Sequence, residues 1–110
     1  MQNIKTNKYE SPQDLYDKMV NDKIKDSVAE VFKLCYKIST ETQSDVFFDY
    51  APHVKWITIR IFLNSWGYNI HHDEEIGIKV DNNLDNLHDI EDIICKLQKL
   101  YNRGKRKWMI

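Results

Sequence analysis

Apolar and polar residues alternate most strictly over residues 53–63, His53-Val54-Lys55-Trp56-Ile57-Thr58-Ile59-Arg60-Ile61-Phe62-Leu63. Side chains of a strand point to opposite faces in turn. Ile57, Ile59, Ile61 and Leu63 therefore share one face, and Trp56, Thr58, Arg60 and Phe62 the other. The first face is aliphatic throughout and reads as core. The second mixes rings with a cation, which is unusual for a face that is merely solvated. A strand is predicted before this one at residues 45–50, and another after it at residues 75–81, with Ile76, Ile78 and Val80 inward. Ala51-Pro52-His53 makes a tight connection, because Pro52 cannot donate to a continuous ladder. Asn64-Ser65-Trp66-Gly67-Tyr68-Asn69 carries turn residues and two aromatics. Connections this short favour an antiparallel meander, since parallel pairing needs a crossover of about a dozen residues or more.

Helical spacing flanks the strands. Ser11-Pro12-Gln13-Asp14 is a helix start: Ser11 caps, Pro12 fits the first position, and Asp14 lies at the positive end of the dipole. Leu15, Met19, Ile24, Val28, Val31, Cys35 and Ile38 follow, the last five at spacings of a helical stripe that Phe32 widens. Leu15 and Met19 do not join that stripe smoothly, so a break at Asn21-Asp22 is expected. The polar run 39–44 ends the helix. A second helix is predicted over residues 85–103, with Leu87, Ile90, Ile94, Leu97 and Tyr101 on one face. Asp85, Asp89, Glu91 and Asp92 crowd its first half and Lys96, Lys99 and Arg103 its second, an order that complements the dipole. Gly104 is read as the C-cap, and residues 1–10 and 105–110 as frayed ends. The order α-β-β-β-α predicts a two-layer α+β domain: a three-stranded antiparallel sheet with the N- and C-terminal helices on one face. The face holding Trp56, Arg60 and Phe62 is then left uncovered.

Composition adds limits. A chain of 110 residues, 42% hydrophobic and 12% aromatic, makes one folded domain with a real core. The net charge of −1 favours neither nucleic acid nor an acidic partner globally. The charge is nevertheless sorted: residues 73–92 hold eight acids against Lys79 alone, and residues 96–107 hold six bases and no acid. Cys35 and Cys95 fall inside apolar helical patterns and read as buried thiols in a reducing compartment; helices packed side by side would allow a bridge between them. The start of the chain has no signal-peptide core and no run matches a membrane span, so a cytoplasmic protein is expected.

Four groups carry candidate chemistry. The first is the sheet face of Trp56, Arg60 and Phe62, residue types that dominate binding hot spots. If Val46, Phe48 and Tyr50 point inward, Phe47 joins it, between Asp45 and Asp49; in the other register Phe48 and Tyr50 do. Cover by the N-terminal residues or the first helix, and a homodimer through this face, are the competing outcomes. The second is the loop of Trp66, Tyr68, His71 and His72 with Asp73, Glu74 and Glu75. Adjacent histidines turn poorly towards one ion and no HExxH or CxxC motif is present, so neither a metal nor any other cofactor is expected. The third is Arg103, Lys105, Arg106, Lys107 and Trp108, which combines phosphate-seeking cations with a stacking ring and equally describes a solvated helix end. The fourth is the acidic band itself, which suits a basic partner and equally describes a helix N-terminus. Catalysis finds little support: three glycines make no phosphate-cradling loop, and no nucleophile–base order stands out.

The stretch from His53-Val54 through Ile57-Thr58-Ile59-Arg60-Ile61-Phe62 to Trp66-Gly67 resembles a pattern in small phage proteins of AT-rich Gram-positive bacteria. The richness in Asn, Lys, Ile, Asp and Tyr agrees. The size and the α-β-β-β-α order are similar to those of some phage-encoded anti-CRISPR proteins. That resemblance implies a non-enzymatic inhibitor that binds a host nuclease by occlusion, although a net charge of −1 departs from the strongly acidic DNA mimics of that kind. It assigns no residue. The residues themselves name the partner-binding candidates as Trp56, Arg60, Phe62, Trp66, Tyr68, Asp73, Glu74 and Glu75. The alternative is a small nucleic-acid-binding protein using the aromatic sheet face and the basic C-terminal residues.

Overall fold

The computed structural model describes residues 11–108, with side chains up to Lys105. The frayed ends expected at 1–10 and 109–110 lie outside the described residues. Five elements follow in the order α1 (Pro12–Glu41), β1 (Asp45–Ala51), β2 (Trp56–Phe62), β3 (Glu74–Lys79) and α2 (Leu84–Trp108). The sheet runs β1-β2-β3 with both pairings antiparallel. Both helices lie against its aliphatic face and against each other, which is the expected α+β arrangement.

Helix α1 starts where the sequence places it. The Ser11 hydroxyl accepts from the Asp14 N–H at 3.1 Å, and the Asp14 carboxylate accepts from the Ser11 N–H, a reciprocal capping box. The expected break at Asn21-Asp22 does not occur; the helix is continuous for 30 residues. Val20, not Met19, carries the buried stripe on to Ile24, Val31, Leu34, Cys35 and Ile38, so the register never slips. Lys18 and Asp22 pair one turn apart across the supposed break. Leu15 and Met19 are exposed, which explains why they miss the stripe. The helix ends at Thr42, whose N–H and hydroxyl both donate to the Ile38 carbonyl.

Val46, Ile57, Ile59, Ile61 and Ile78 form the sheet side of the core, with Phe48, Ile76 and Val80 packed around them. Ile38, Ile59, Ile90 and Leu97 are fully buried where sheet and helices meet. Each such side chain removed from water stabilises the fold by about 1.5–3 kcal/mol. The central strand is shorter than its alternation suggests. Residues 52–55 form the turn of the β1–β2 hairpin, with Lys55 in the left-handed region at φ 51°, and pairing begins at Ala51 with Trp56. At the other end Leu63 leaves the sheet and is exposed, its N–H held by the Asp73 carboxylate at 2.7 Å.

Helix α2 is capped by Asn83, whose side-chain oxygen accepts the Asn86 N–H at 2.9 Å. Ile93 and Leu100 join the expected buried face, and Ile94 sits at its margin. Gly104 is no cap. The helix runs through it to Trp108, and the bare Cα packs on Thr42, where a Cβ would come within 2.8 Å of the threonine side chain. The helix thus takes in residues 105–108, which the sequence reading placed beyond its end.

Of the two cysteines expected to be buried, one is. Cys35 is buried, and burial pushes its thiol up to about 12 despite an opposing backbone hydrogen bond. Cys95 is exposed on the outer side of α2, and both thiols are free. No helix of the described residues is long and apolar enough to cross a membrane.

Candidate functional site

The face of the sheet turned away from the helices is built by the pairing register. Phe47 stands opposite Arg60, and Arg60 opposite Glu75; Asp49, Thr58 and Gly77 form the next row; Ala51, Trp56 and Lys79 the last. With Val46 and Phe48 turned to the core, Phe47 is the β1 ring that joins this face. Helix α1 lies on the opposite face and does not cover it.

Two clusters occupy the surface. At one end, Phe47, Phe62, Trp66 and Tyr68 make a connected set of rings. Phe47 lies 5.4 Å from Phe62 and 6.1 Å from Trp66, and Trp66 meets Tyr68 edge-on at 5.0 Å between centroids. Phe62 is only 6% exposed, so it is the floor of the cluster and not the contact residue that alternation suggested. Phe47, Trp66 and Tyr68 form its open surface, at 40%, 44% and 92% exposure. The floor is buried because the β2–β3 loop folds back over the end of the strand. Several hydrogen bonds fasten that loop. Asp45 accepts the Trp66 N–H at 2.7 Å, Ser65 donates to the Gln43 carbonyl at 2.9 Å, and Asp73 accepts the Leu63 N–H. Ser65 takes φ 81°, a left-handed conformation that an L side chain adopts only when held. Trp66 is thus presented from a fastened backbone. Its anchor, Asp45, was not recognisable from the sequence, because only the closed loop brings the two together.

At the other end, the Trp56 ring lies over Gly77. A Cβ at Gly77 would come 2.4 Å from the indole, so the glycine is the seat of the ring. Beside Trp56, Asp89 and Asp92 of α2 line a shallow groove along the β3 edge. The acidic band therefore continues from the helix onto the aromatic face.

Between the clusters, Arg60 is clamped. Its guanidinium donates to Asp49 at 2.7 Å and meets Glu75 at 3.3 Å, both across strands. Glu75 also faces His72 at 3.6 Å. The His71 and His72 rings lie side by side with centroids 4.0 Å apart, and His72 meets the edge of Phe62. Side by side, the two rings do not thereby point their nitrogens at one ion, and His71 Nδ1 lies 2.8 Å from the His72 carbonyl oxygen. Among the described residues no three His, Cys, Asp or Glu side chains gather as a metal set.

The remaining candidates separate. Glu74 turns the other way and pairs with Lys96 of α2, so it belongs to the joint between the layers. Asp73 fastens the loop. Arg103 lines a groove with Gln43, Leu63 and Asn64, at the end of the two layers. Lys105 lies over the Tyr101 ring on the helix side. The side chains of Arg106, Lys107 and Trp108 lie outside the described set. The basic helix end and the aromatic face are thus carried by opposite layers. Compared with family models, curated proteins and solved structures, the chain matches none.

Proposed function

We propose that the protein is a non-catalytic binding module of phage or mobile-element origin. It works in the cytoplasm of its host cell and inhibits a host defence nuclease of the CRISPR type by occlusion. The observation that supports this reading is the sheet face that the described residues leave uncovered, where Phe47, Trp66 and Tyr68 stand exposed on a buried Phe62 floor. Exposed rings on a fastened backbone lose little conformational freedom on docking, which is what an interface anchor requires.

The charges around the rings lean acidic. Asp45 shares the face with Asp49 and Glu75, which are paired with Arg60, and Asp89 and Asp92 flank its Trp56 end beside Lys79. Rings edged by carboxylates attract cationic side chains by both the Coulomb field and the ring quadrupole. A nuclease that grips nucleic acid through a basic channel offers such a surface. The nucleic-acid alternative draws less support, because the central cation of the face, Arg60, is already neutralised by two carboxylates.

The test is CRISPR interference against an incoming plasmid in the host, with the protein co-expressed. Wild type is expected to restore transformation, and Trp66→Ala/Tyr68→Ala to lose at least about tenfold of that effect while folding normally, a tenfold change being about 1.4 kcal/mol of binding. Capture from host lysate with and without nuclease treatment separates the readings. A protein that stays bound after nucleic acid is digested agrees with the module; recovery that vanishes with the nucleic acid overturns it. Interference left intact by wild type removes the inhibitor reading.

A further inference from the structure

At the hairpin end of the molecule, away from the aromatic cluster, α1 and the sheet part to leave an open groove of about 430 Å³. Its apolar wall is Ile24 and Val28 from α1, Phe48 from β1, and Val80 just beyond β3. Two cations border it from opposite sides: Lys25 from the helix and Lys55 from the β1–β2 turn. The ion pairs among the described residues involve Lys18, Arg60, His72, His88 and Lys96, and neither Lys25 nor Lys55.

Lys55 is placed with some force. It takes φ 51°, where glycine or asparagine is the residue of least strain. Its N–H donates to the Pro52 carbonyl, and its own carbonyl accepts the Val80 N–H at 2.9 Å, so the turn is tied to the far wall of the groove. A charged residue held in a strained backbone at the mouth of an apolar groove is the kind of outlier from which function is argued. The volume falls in the range of small-molecule sites, and the lining has their character, mostly apolar with a few convergent polar groups.

We propose that this groove binds a small amphipathic anion: a free medium-chain carboxylate whose alkyl chain lies on Ile24, Val28, Phe48 and Val80 and whose head group is held between Lys25 and Lys55. The carboxylate accepts charge-assisted hydrogen bonds from the two ammonium groups, and the chain leaves water. The inference is independent of the sheet face, which lies on the other side of the sheet.

The experiment is an amide-resolved NMR titration of the full chain with decanoate. Two controls accompany it: decyltrimethylammonium, with the same tail and opposite head, and acetate, with the head alone. Saturable shifts confined to residues around 24–28, 48–55 and 80 with decanoate, and weak or diffuse ones with both controls, are expected. Lys25→Glu/Lys55→Glu changes exposed positions, so the fold is retained, and affinity is expected to fall at least about tenfold, since one hydrogen bond to a charged group accounts for roughly that factor. Vesicles of anionic phospholipid test the lipid source; binding to vesicles in preference to free decanoate overturns the proposal. So does equal binding of the cationic detergent, shifts centred on Phe47, Trp66 and Tyr68, or an unchanged affinity in the double variant.

Discussion

At Gly77 the missing side chain is what makes room for a ring. The Trp56 indole covers the glycine so closely that even a methyl group would displace it. Gly77→Ala is therefore expected to push Trp56 off the sheet and to cost about 1–2 kcal/mol, less than a core overpacking because an exposed ring can swing aside. A urea midpoint shifted down, together with easier acrylamide quenching of the tryptophan fluorescence, checks this. An unchanged midpoint with unchanged quenching sinks it, because alanine otherwise suits a strand better than glycine. Phe62 carries a related lesson. Its position in the alternation puts it on the outer face, and it is on that face, yet the returning loop buries it. Lys55 and Ser65 show local strain of about 1–2 kcal/mol each for a left-handed L residue, and both are held by hydrogen bonds to neighbouring segments.

Among the elements, the helices owe their boundaries to side chains near their ends. Asn83 satisfies an N–H at the start of α2 that no carbonyl of the helix can reach. Asn83→Ala is expected to destabilise the protein by about 1 kcal/mol, read as a lower denaturation midpoint with an unchanged denaturant slope. A loss much below half of that would mean that water replaces the asparagine at no cost. The continuity of α1 has a different origin. Asn21 and Asp22 are weak helix formers, but the helix carries on through them because Val20 and Ile24 are one turn apart and both buried. Helical propensity costs tenths of a kcal/mol per residue, whereas burial of an aliphatic side chain contributes several times that.

For the molecule as a whole, the two cysteines report on folding. Cys35 lies in the core, and desolvation moves its thiol from an ordinary value of 9.0 to about 12. Between those values the unfolded chain releases a proton that the folded chain keeps. Stability from this group is therefore complete below pH 9 and falls as pH rises towards 12. Cys35→Ala is expected to flatten the loss of stability over that window relative to wild type. In the native protein at pH 8, a thiol reagent is expected to modify Cys95 alone, and both cysteines once denaturant is added, as read by mass. Equal labelling of both in the native state would contradict the burial of Cys35.

How much of this was legible beforehand divides along physical lines. Period and capping are local properties, so the order α-β-β-β-α, the cap at Ser11, the inward faces of β2 and β3 and the antiparallel meander could all be read from the chain. The face carrying Trp56 and Arg60 could be named for the same reason. The rest depended on contacts between distant segments. In Val46-Phe47-Phe48-Asp49-Tyr50 both alternations contain rings, and only pairing with Ile61 and Ile59 selects Phe47 for the outer face. The clamp on Arg60 joins three strands, and the fastening of Trp66 by Asp45 joins a strand to a loop 21 residues on. Gly104 reads as a helix stop because glycine ends helices when nothing competes; here it is the point at which α2 touches Thr42, and packing overrides the local preference. The sequence by itself determined which elements form and which faces are apolar, because those follow from spacing along one segment. Only the tertiary structure decided which rings stay exposed and which charges stay free, because both depend on what a residue meets after the chain has folded back on itself.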